Sequence, residues 1–385
     1  MPAQRILVLT LSFGSGHVRA ASAIAHELSE QVPGAEICVL DALENCHWPF
    51  RALYVWPYWM MVRYAPRLWK KWFEARRSRR AEETAPAWAF RYGCSHVFET
   101  IARLKPDTII AVEVAACEMS VIARRMHLAD ARIIAVITDD QAEPIWVKPE
   151  VDVYAVPEPG VRDELCQWGA PARNVFVTGI PTEAAFRARH DQRFTRLGFG
   201  LNAHLPLVLL MGGGMGPSRM DRIAASLCAS ELPMQLVAVA GHDRKVLKRL
   251  GRLNAQHRNT LHVVGWTDQT AALMQLASLL ITKPGGVTLA EAAECGLPVV
   301  MFDGIPGPEK LNAEHLEAAR AGIVARTLSE AVIATEQLLR DDSRRAFMSQ
   351  QARRLARPGA ARHIAQLALG RVDEQVTTNQ QRIIA

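Results

Sequence analysis

Apolar residues along this chain gather in short runs that end in glycine or aspartate, with helical stretches between them. Ile6 to Leu11 is such a run, the pattern of a strand covered on both faces in a parallel sheet. Gly14-Ser15-Gly16-His17 turns the chain, and Val18 to Leu28, rich in Ala, Glu and Leu, is predicted as a helix. Glu36 to Leu40 is the next strand, which makes a βαβ opening. Residues 47–92 interrupt the pattern with an aromatic and basic stretch. It resumes with strands at Thr108–Val112, Ile133–Thr138, Val151–Val156 and Val175–Thr178 and with helices at Met119–Met126 and Pro159–Gly169. Asp139-Asp140 ends one of these strands and Gly179-Ile180-Pro181 ends the last.

The polar segment Thr182–Leu205 holds no sustained strand and is taken as a domain connection. A second series then starts, with strands at Leu207–Met211, Gln235–Ala240, Leu261–Val264, Leu279–Thr282 and Val299–Phe302. Gly212 to Gly216, Gly241, Gly265-Trp266, Lys283-Pro284-Gly285-Gly286 and Asp303 follow them in turn. Residues 342–370 are predicted helical and close the fold, and 371–385 form a polar, frayed tail. The predicted fold is α/β, with two Rossmann-like domains at 1–181 and 182–370. Ligands of such sheets sit at the carboxyl ends of the strands, so the expected site is a cleft faced by both domains.

Composition agrees. With 385 residues, 49% apolar and 22% charged, the chain is globular and long enough for two cores. No apolar run approaches the roughly 18 residues of a spanning helix, and the first residues lack the features of a secretory signal. Seven cysteines without a CxxC spacing argue against a disulfide framework or a zinc knuckle and fit a reducing cytoplasm. Residues 51–80 hold nine basic groups against one acid, Glu74, which exceeds the whole chain's net charge of +6. The basic character is therefore local.

Four features carry candidate chemistry. Lys283 to Glu291 delivers a strand to two glycines and a helix start, whose free N–H groups and dipole suit a diphosphate. Glu291 lies about one and a half turns in, where a carboxylate accepts from vicinal ribose hydroxyls. The run Gly212–Gly216, with Gly213, Gly214 and Met215, is a second phosphate candidate, and the absence of a following Lys-Ser/Thr excludes a Walker loop. Both have a plainer reading as ordinary turns. His17 stands at a helix start beside Gly14 and Gly16, where the dipole favours a neutral ring able to take a hydroxyl proton. Asp139 and Asp140 end a strand of the same half; one of them, with Asp139 as the candidate, orients the histidine or is itself the base, and the plainer reading is a helix cap or loop residue. Finally, Trp48–Arg80 holds five tryptophans and three tyrosines, followed by the charges. This clustering favours an insertion lying in a membrane interface, with Trp56, Trp59, Arg63, Trp69, Lys70 and Lys71 as contacts. A packed helix with a solvated basic end and a nucleic-acid surface with stacking aromatics are the alternatives.

Together these residues resemble the monogalactosyldiacylglycerol synthase and processive diacylglycerol glucosyltransferase family, related to the GlcNAc transferase of peptidoglycan synthesis. The resemblance spans roughly residues 5–325 and is carried by FGSGHVRAASAI, VITDDQAEPIWVKPEVDVYAVPEPGVRDEL, VFVTGIP, LLMGGGMG and VVGWTDQTAALMQLASLLITKPGGVTLAEAAECGLPVVMFDGIPGPEKLNAEHL. It implies a GT-B fold, a UDP-sugar donor held by the C-terminal domain, an acceptor held by the N-terminal domain, and inversion without an essential metal or other cofactor. It implies that His17 is the catalytic histidine, that Gly285 and Gly286, with Val287 and Thr288, bind the diphosphate, and that Glu291 binds ribose. It also implies that Gly265 and Trp266, with Gly241 on the preceding strand end, face uracil, and that Glu309 and Asn312 belong to the donor-sugar motif. Pro308 stands where the family has a glutamine, and Lys310 replaces a common acidic or small residue, so the hexose stays open. The implied function is transfer of a hexose to diacylglycerol or a similar lipid alcohol, by a cytoplasmic protein attached to the inner face of an anionic membrane and without a nucleic-acid partner. A UDP-GlcNAc 2-epimerase and a degenerate, non-catalytic UDP-sugar binder are the alternatives.

Overall fold

The computed structural model describes residues 4–78, 83–212, 219–253, 259–305 and 307–371. They form two compact units. The first holds the residues up to Phe13, His17–Glu183 and the stretch beginning at Gly359, and the second holds Gly14–Gly16 and Ala184–Pro358.

The first unit is built on six parallel strands: β1 (Arg5–Thr10), β2 (Glu36–Asp41), β3 (Thr108–Ala111), β4 (Arg132–Val136), β5 (Val153–Val156) and β6 (Val175–Val177). Their order is β2-β1-β3-β4-β5-β6, and the register sets Val8 of β1 opposite both Val39 and Ile110. Ile6 to Leu9 and Ile133 to Val136 are wholly enclosed, as their unbroken apolar runs require when helices cover both faces. The second unit repeats the plan with β7 (Leu207–Met211), β8 (Gln235–Val239), β9 (Thr260–Val264), β10 (Leu279–Thr282), β11 (Val299–Met301) and β12 (Gly322–Val324). These are parallel in the order β12-β11-β10-β7-β8-β9. The sequence pattern passes over β12, which opens on a glycine and offers only Ile323 and Val324 as an apolar run.

The division of the chain differs from the sequence-based one at its end. Residues 342–370 are not one helical body belonging to the second half. They form two helices, Asp342–Leu355 and Ala360–Ala368, parted by Gly359 in a left-handed conformation (φ 88°) that a side chain disfavours. The second helix returns to the first unit, where Arg132 Nη1 donates to the Leu367 carbonyl at 2.7 Å. The tail from residue 372 lies outside the described residues.

The aromatic and basic stretch is helical. Trp48–Phe50, a π turn over Arg51–Val55 and Trp56–Tyr64 run on without a break, and Pro66–Ser78 follows. Pro57 has no N–H to give, and Trp56 N–H reaches back five residues to the Arg51 carbonyl, so the π turn absorbs the extra residue. The spacing then keeps Trp48, Leu53, Trp56, Met60 and Tyr64 on a solvent-facing stripe, each at least 58% exposed. Phe50, Val55 and Val62 are buried, with Tyr54 and Trp59 packed partly against the core. Trp69 corrects the sequence-based expectation: it is 4% exposed, edge-on to Tyr58 at 4.9 Å and beside Phe73, and so presents no surface to a membrane. Its position on the Pro66–Ser78 helix is that of the core-facing side. All seven cysteines are free, and no helix among the described residues is long and apolar enough to cross a membrane.

Candidate active site

In an all-parallel sheet every strand delivers its following loop to one edge. In the first unit that edge gathers the turn after β1 and the loop after β4. The helix Ser15–Gln31 starts directly after the glycine turn, which sets His17 in its first turn. The loop after β4 brings Thr138, 4% exposed, to the ring, with Thr138 Oγ1 3.1 Å from His17 Nδ1. Asp139 and Asp140 follow, both half-buried. The sequence pattern marks His17 and Asp139 at this edge but passes over Thr138, which reads as the last residue of a strand.

In the second unit the same edge gathers the ends of β8, β9, β10 and β11. Gly241 adopts φ 58°, which turns the chain sharply after β8, and Gly265 approaches its carbonyl from β9. The next residues of the two strands meet: the rings of His242 and Trp266 lie 4.5 Å apart with their planes 12° from parallel. His242 is missing from the sequence-based set, because a lone histidine after a glycine carries no pattern.

After β10, Lys283-Pro284-Gly285 leads into the helix Gly286–Cys295, with Gly285 as its extended N-cap. The N-cap Gly285 makes no side-chain bond to this helix start, and a helix's first amide groups suit an anion. Val287 and Glu291 are buried in this helix, Glu291 to 1% exposure, and Thr288 sits in its first turn. Glu309 and Asn312 lock the turn from the helix Pro308–Ala318. Lys283 Nζ lies 2.9 Å from Glu309 Oε1, and Glu309 Oε2 accepts the Ile305 N–H at 2.7 Å. Asn312 Nδ2 donates to the Pro284 carbonyl at 3.0 Å. The two side chains of the expected sugar motif thus also shape the turn that begins the anion site.

A small pocket opens beside this turn, lined by Gly212, Thr282, Lys283, Arg219, Phe302 and Asp303 among others. Arg219 lies over the Phe302 ring at 4.5 Å, and its Nε is 2.9 Å from Asp303 Oδ1. Asp303 holds this position in the left-handed region (φ 60°), uncommon outside glycine. Gly213, Gly214 and Met215 of the expected second phosphate loop lie outside the described residues.

The basic segment is less available than its sequence suggests. Arg76 forms a bidentate pair with Glu143, Arg77 pairs with Glu164, and Arg51 donates to the Leu43 carbonyl. Arg63, Arg67, Lys70 and Lys71 are exposed, although Lys70 lies 3.8 Å from Glu74. Trp56 is exposed and Trp59 half-buried.

Comparison with known proteins places both units. Residues 17–182 match the monogalactosyldiacylglycerol (MGDG) synthase family, and residues 216–355 match the glycosyl transferases group 1 family. The processive diacylglycerol beta-glucosyltransferase of Bacillus cereus (strain AH187) is 26% identical over 367 residues, covering 95% of this chain and 93% of the relative. Among solved structures, MurG of Acinetobacter baumannii superposes with a TM-score of 0.61 at 16% identity, covering 95% of this chain and 99% of that one. A UDP-GlcNAc 2-epimerase from Neisseria meningitidis bound to UDP-GlcNAc reaches 0.59 at 13% identity, covering 95% and 100%. At such identities the structural likeness speaks for the fold alone, shared by transferases and epimerases. The chain is a glycosyltransferase with a GT-B fold, similar to the monogalactosyldiacylglycerol synthase family over residues 17–182 and to the glycosyl transferases group 1 family over residues 216–355.

Proposed function

We propose that this protein moves a hexose from a UDP-sugar to diacylglycerol or a similar lipid alcohol, with inversion at the anomeric carbon. The observation that carries this reading is the stripe of Trp48, Leu53, Trp56, Met60 and Tyr64 left in solvent on the unit that bears His17. Apolar stripes of this kind mark contact surfaces, and aromatic residues beside exposed Arg63, Arg67, Lys70 and Lys71 suit the interface of an anionic membrane. An epimerase working on a soluble nucleotide sugar has no use for such a stripe. The names of the curated relatives supply the lipid acceptor, and a structural neighbour that holds UDP-GlcNAc supports a UDP-sugar donor.

In this reading His17 is the base. The acceptor hydroxyl, admitted past Gly14 and Gly16, loses its proton to the imidazole as its oxygen bonds to the anomeric carbon. The bond from that carbon to the UDP oxygen breaks, and the departing diphosphate is received by the amides of Gly286, Val287 and Thr288 at the helix start. Asp139 lies on the adjoining loop and balances the charge of the protonated ring. Glu291 takes the ribose, Gly241, Gly265 and Trp266 take the base, and Glu309 and Asn312 face the sugar. The chemistry calls on no metal, because the helix start supplies the positive field. The protein works at the cytoplasmic face of the membrane, attached peripherally.

Purified protein incubated with vesicles and radiolabelled UDP-hexoses is expected to form a labelled glycolipid, and His17→Ala to abolish it while UDP still binds. Failure of every UDP-hexose and UDP-N-acetylhexosamine to label lipid would overturn the assignment.

A further inference from the structure

The loop from Thr138 to Trp146 touches His17 at one end and is held by the basic helix Pro66–Ser78 at the other. Arg76 Nε and Nη2 reach the two carboxylate oxygens of Glu143 at 2.8 and 2.5 Å, and the two side chains are 15% and 13% exposed. Arg77 pairs with Glu164 of the helix Pro159–Gln167. Glu164 Oε2 in turn accepts the backbone N–H of Ala142 at 3.3 Å. Two consecutive arginines thus engage two carboxylates that bear on the loop. Each also meets an indole: Arg76 lies 4.8 Å from the centre of the Trp72 ring and Arg77 5.7 Å from that of Trp168. A guanidinium that is forked onto a carboxylate and stacked on an indole is committed to the protein. A lipid phosphate would have to break that fork before Arg76 could serve it.

The other end of the loop decides what His17 can do. An imidazole accepts a proton at Nε2 only when Nδ1 already carries one. A hydroxyl 3.1 Å from Nδ1 accepts from a protonated Nδ1 and donates to a bare one, so the contact fixes the orientation of the ring and is compatible with the tautomer that leaves Nε2 open. Thr138 is buried, so its place depends on the path of the loop.

We infer that Arg76 and Arg77 are positioning residues for His17. They fix the loop through Glu143 and Glu164, and the loop sets Thr138 against the imidazole. The segment that looks in sequence like one continuous lipid-binding charge is then divided. Arg63, Arg67, Lys70 and Lys71 face outward, and the two arginines that follow brace the catalytic edge. Only the activity arm of the test rests on the transferase reading above.

The test labels the histidines with nitrogen-15, identifies the His17 ring by its loss in His17→Ala, and follows its two nitrogen signals at fixed pH. Thr138→Val is the reference for loss of this contact and is expected to shift both signals. Arg76→Lys, which keeps the charge but loses the fork, and Glu143→Gln are expected to shift them in the same direction. Binding to anionic vesicles and affinity for UDP stay at the wild-type level. With a lipid acceptor, kcat falls by about ten- to a hundred-fold at constant KM, as a displaced reacting group requires. The reversed pair, Arg76→Glu with Glu143→Arg, recovers part of the loss. Unchanged His17 signals in Arg76→Lys and Glu143→Gln would overturn the inference, as would a loss of vesicle binding with kcat intact, which would make Arg76 a lipid contact. A wild-type protein that transfers no sugar would sink the proposed function and leave the nitrogen signals to decide this one.

Discussion

His242 and Trp266 stack face to face across the ends of two neighbouring strands, their ring centres 4.5 Å apart. The pairing of β8 with β9 sets Val239 opposite Val264, so the residues beyond each glycine meet on one side of the sheet edge. The indole remains 56% exposed, which leaves surface on which a nucleobase can lie. Base–aromatic stacking contributes about 1–3 kcal/mol. Trp266→Ala is therefore expected to weaken UDP binding by about ten- to a hundred-fold, and His242→Ala to weaken it less by freeing the indole. Calorimetric titration with UDP checks this, and an unchanged affinity in Trp266→Ala would remove the platform.

The carboxylate of Glu309 ties together Lys283 and the Ile305 amide, with side-chain exposures of 8% for Glu309 and 19% for Lys283. Removing one member of such an enclosed pair leaves the other charge without compensation, at a cost of about 3–5 kcal/mol. Glu309→Ala is expected to lower the denaturant midpoint of the second unit by the equivalent of about 3 kcal/mol, at the lower end of that range because Lys283 keeps some water. Glu309→Gln, which still accepts the Ile305 N–H, is expected to lose less. Equal stability of the two variants would show that the ion pair contributes nothing.

Two buried carboxyls of the first unit make its stability depend on pH. Burial is the main cause that pushes Glu113 up to about 7, and burial likewise pushes Glu118 up to about 7. Glu113 caps the helix Val114–Arg125 and Glu118 accepts the Thr84 N–H at 2.9 Å, but these bonds do not offset the lost hydration. The folded state thus holds these protons more tightly than the unfolded chain, whose value is near 4.5. The stabilisation is complete below that value and is lost as the pH rises from there through about 7. Glu118→Gln carries no proton to lose and can still accept the Thr84 N–H. It is expected to gain on the wild type by about 1–3 kcal/mol between pH 5 and pH 8. Parallel stability curves for the two proteins over this range would contradict the expectation.

Trp56 and Trp69 are thirteen positions apart and face opposite environments, one 58% exposed and the other 4%. Trp56→Ala is expected to weaken binding to anionic vesicles without changing thermal stability. Trp69→Ala is expected to destabilise the fold by about 3–5 kcal/mol. Vesicle binding is expected to fall with salt, since each outward lysine or arginine contributes about 1 kcal/mol near an anionic surface. Flotation at several salt concentrations reads both effects, and salt-independent binding would remove the electrostatic part.

The sequence by itself determined the two parallel sheets, their glycine-ended strands and the carboxyl edge of each, with His17 on the one in the first unit and the Gly285-Gly286 turn on the one in the second. Apolar runs between turn residues record burial on both faces, and that signal is local. It also marked Glu309 and Asn312, but as members of a motif, without the lysine and carbonyl that they engage. Only the tertiary structure decided the rest. Helical spacing alone does not tell which side of a helix meets the core, so Trp56 and Trp69 read alike in the sequence and were separated by packing. Charge counts do not show ion pairs between distant residues, so Arg76 and Arg77 enter the sequence only as two of the nine basic groups of residues 51–80, and their pairing with Glu143 and Glu164 is visible only in the fold. Thr138 and His242 carry no pattern of their own. Their roles arise because strands far apart in the chain bring them beside a ring, and that proximity exists only once the sheet has formed.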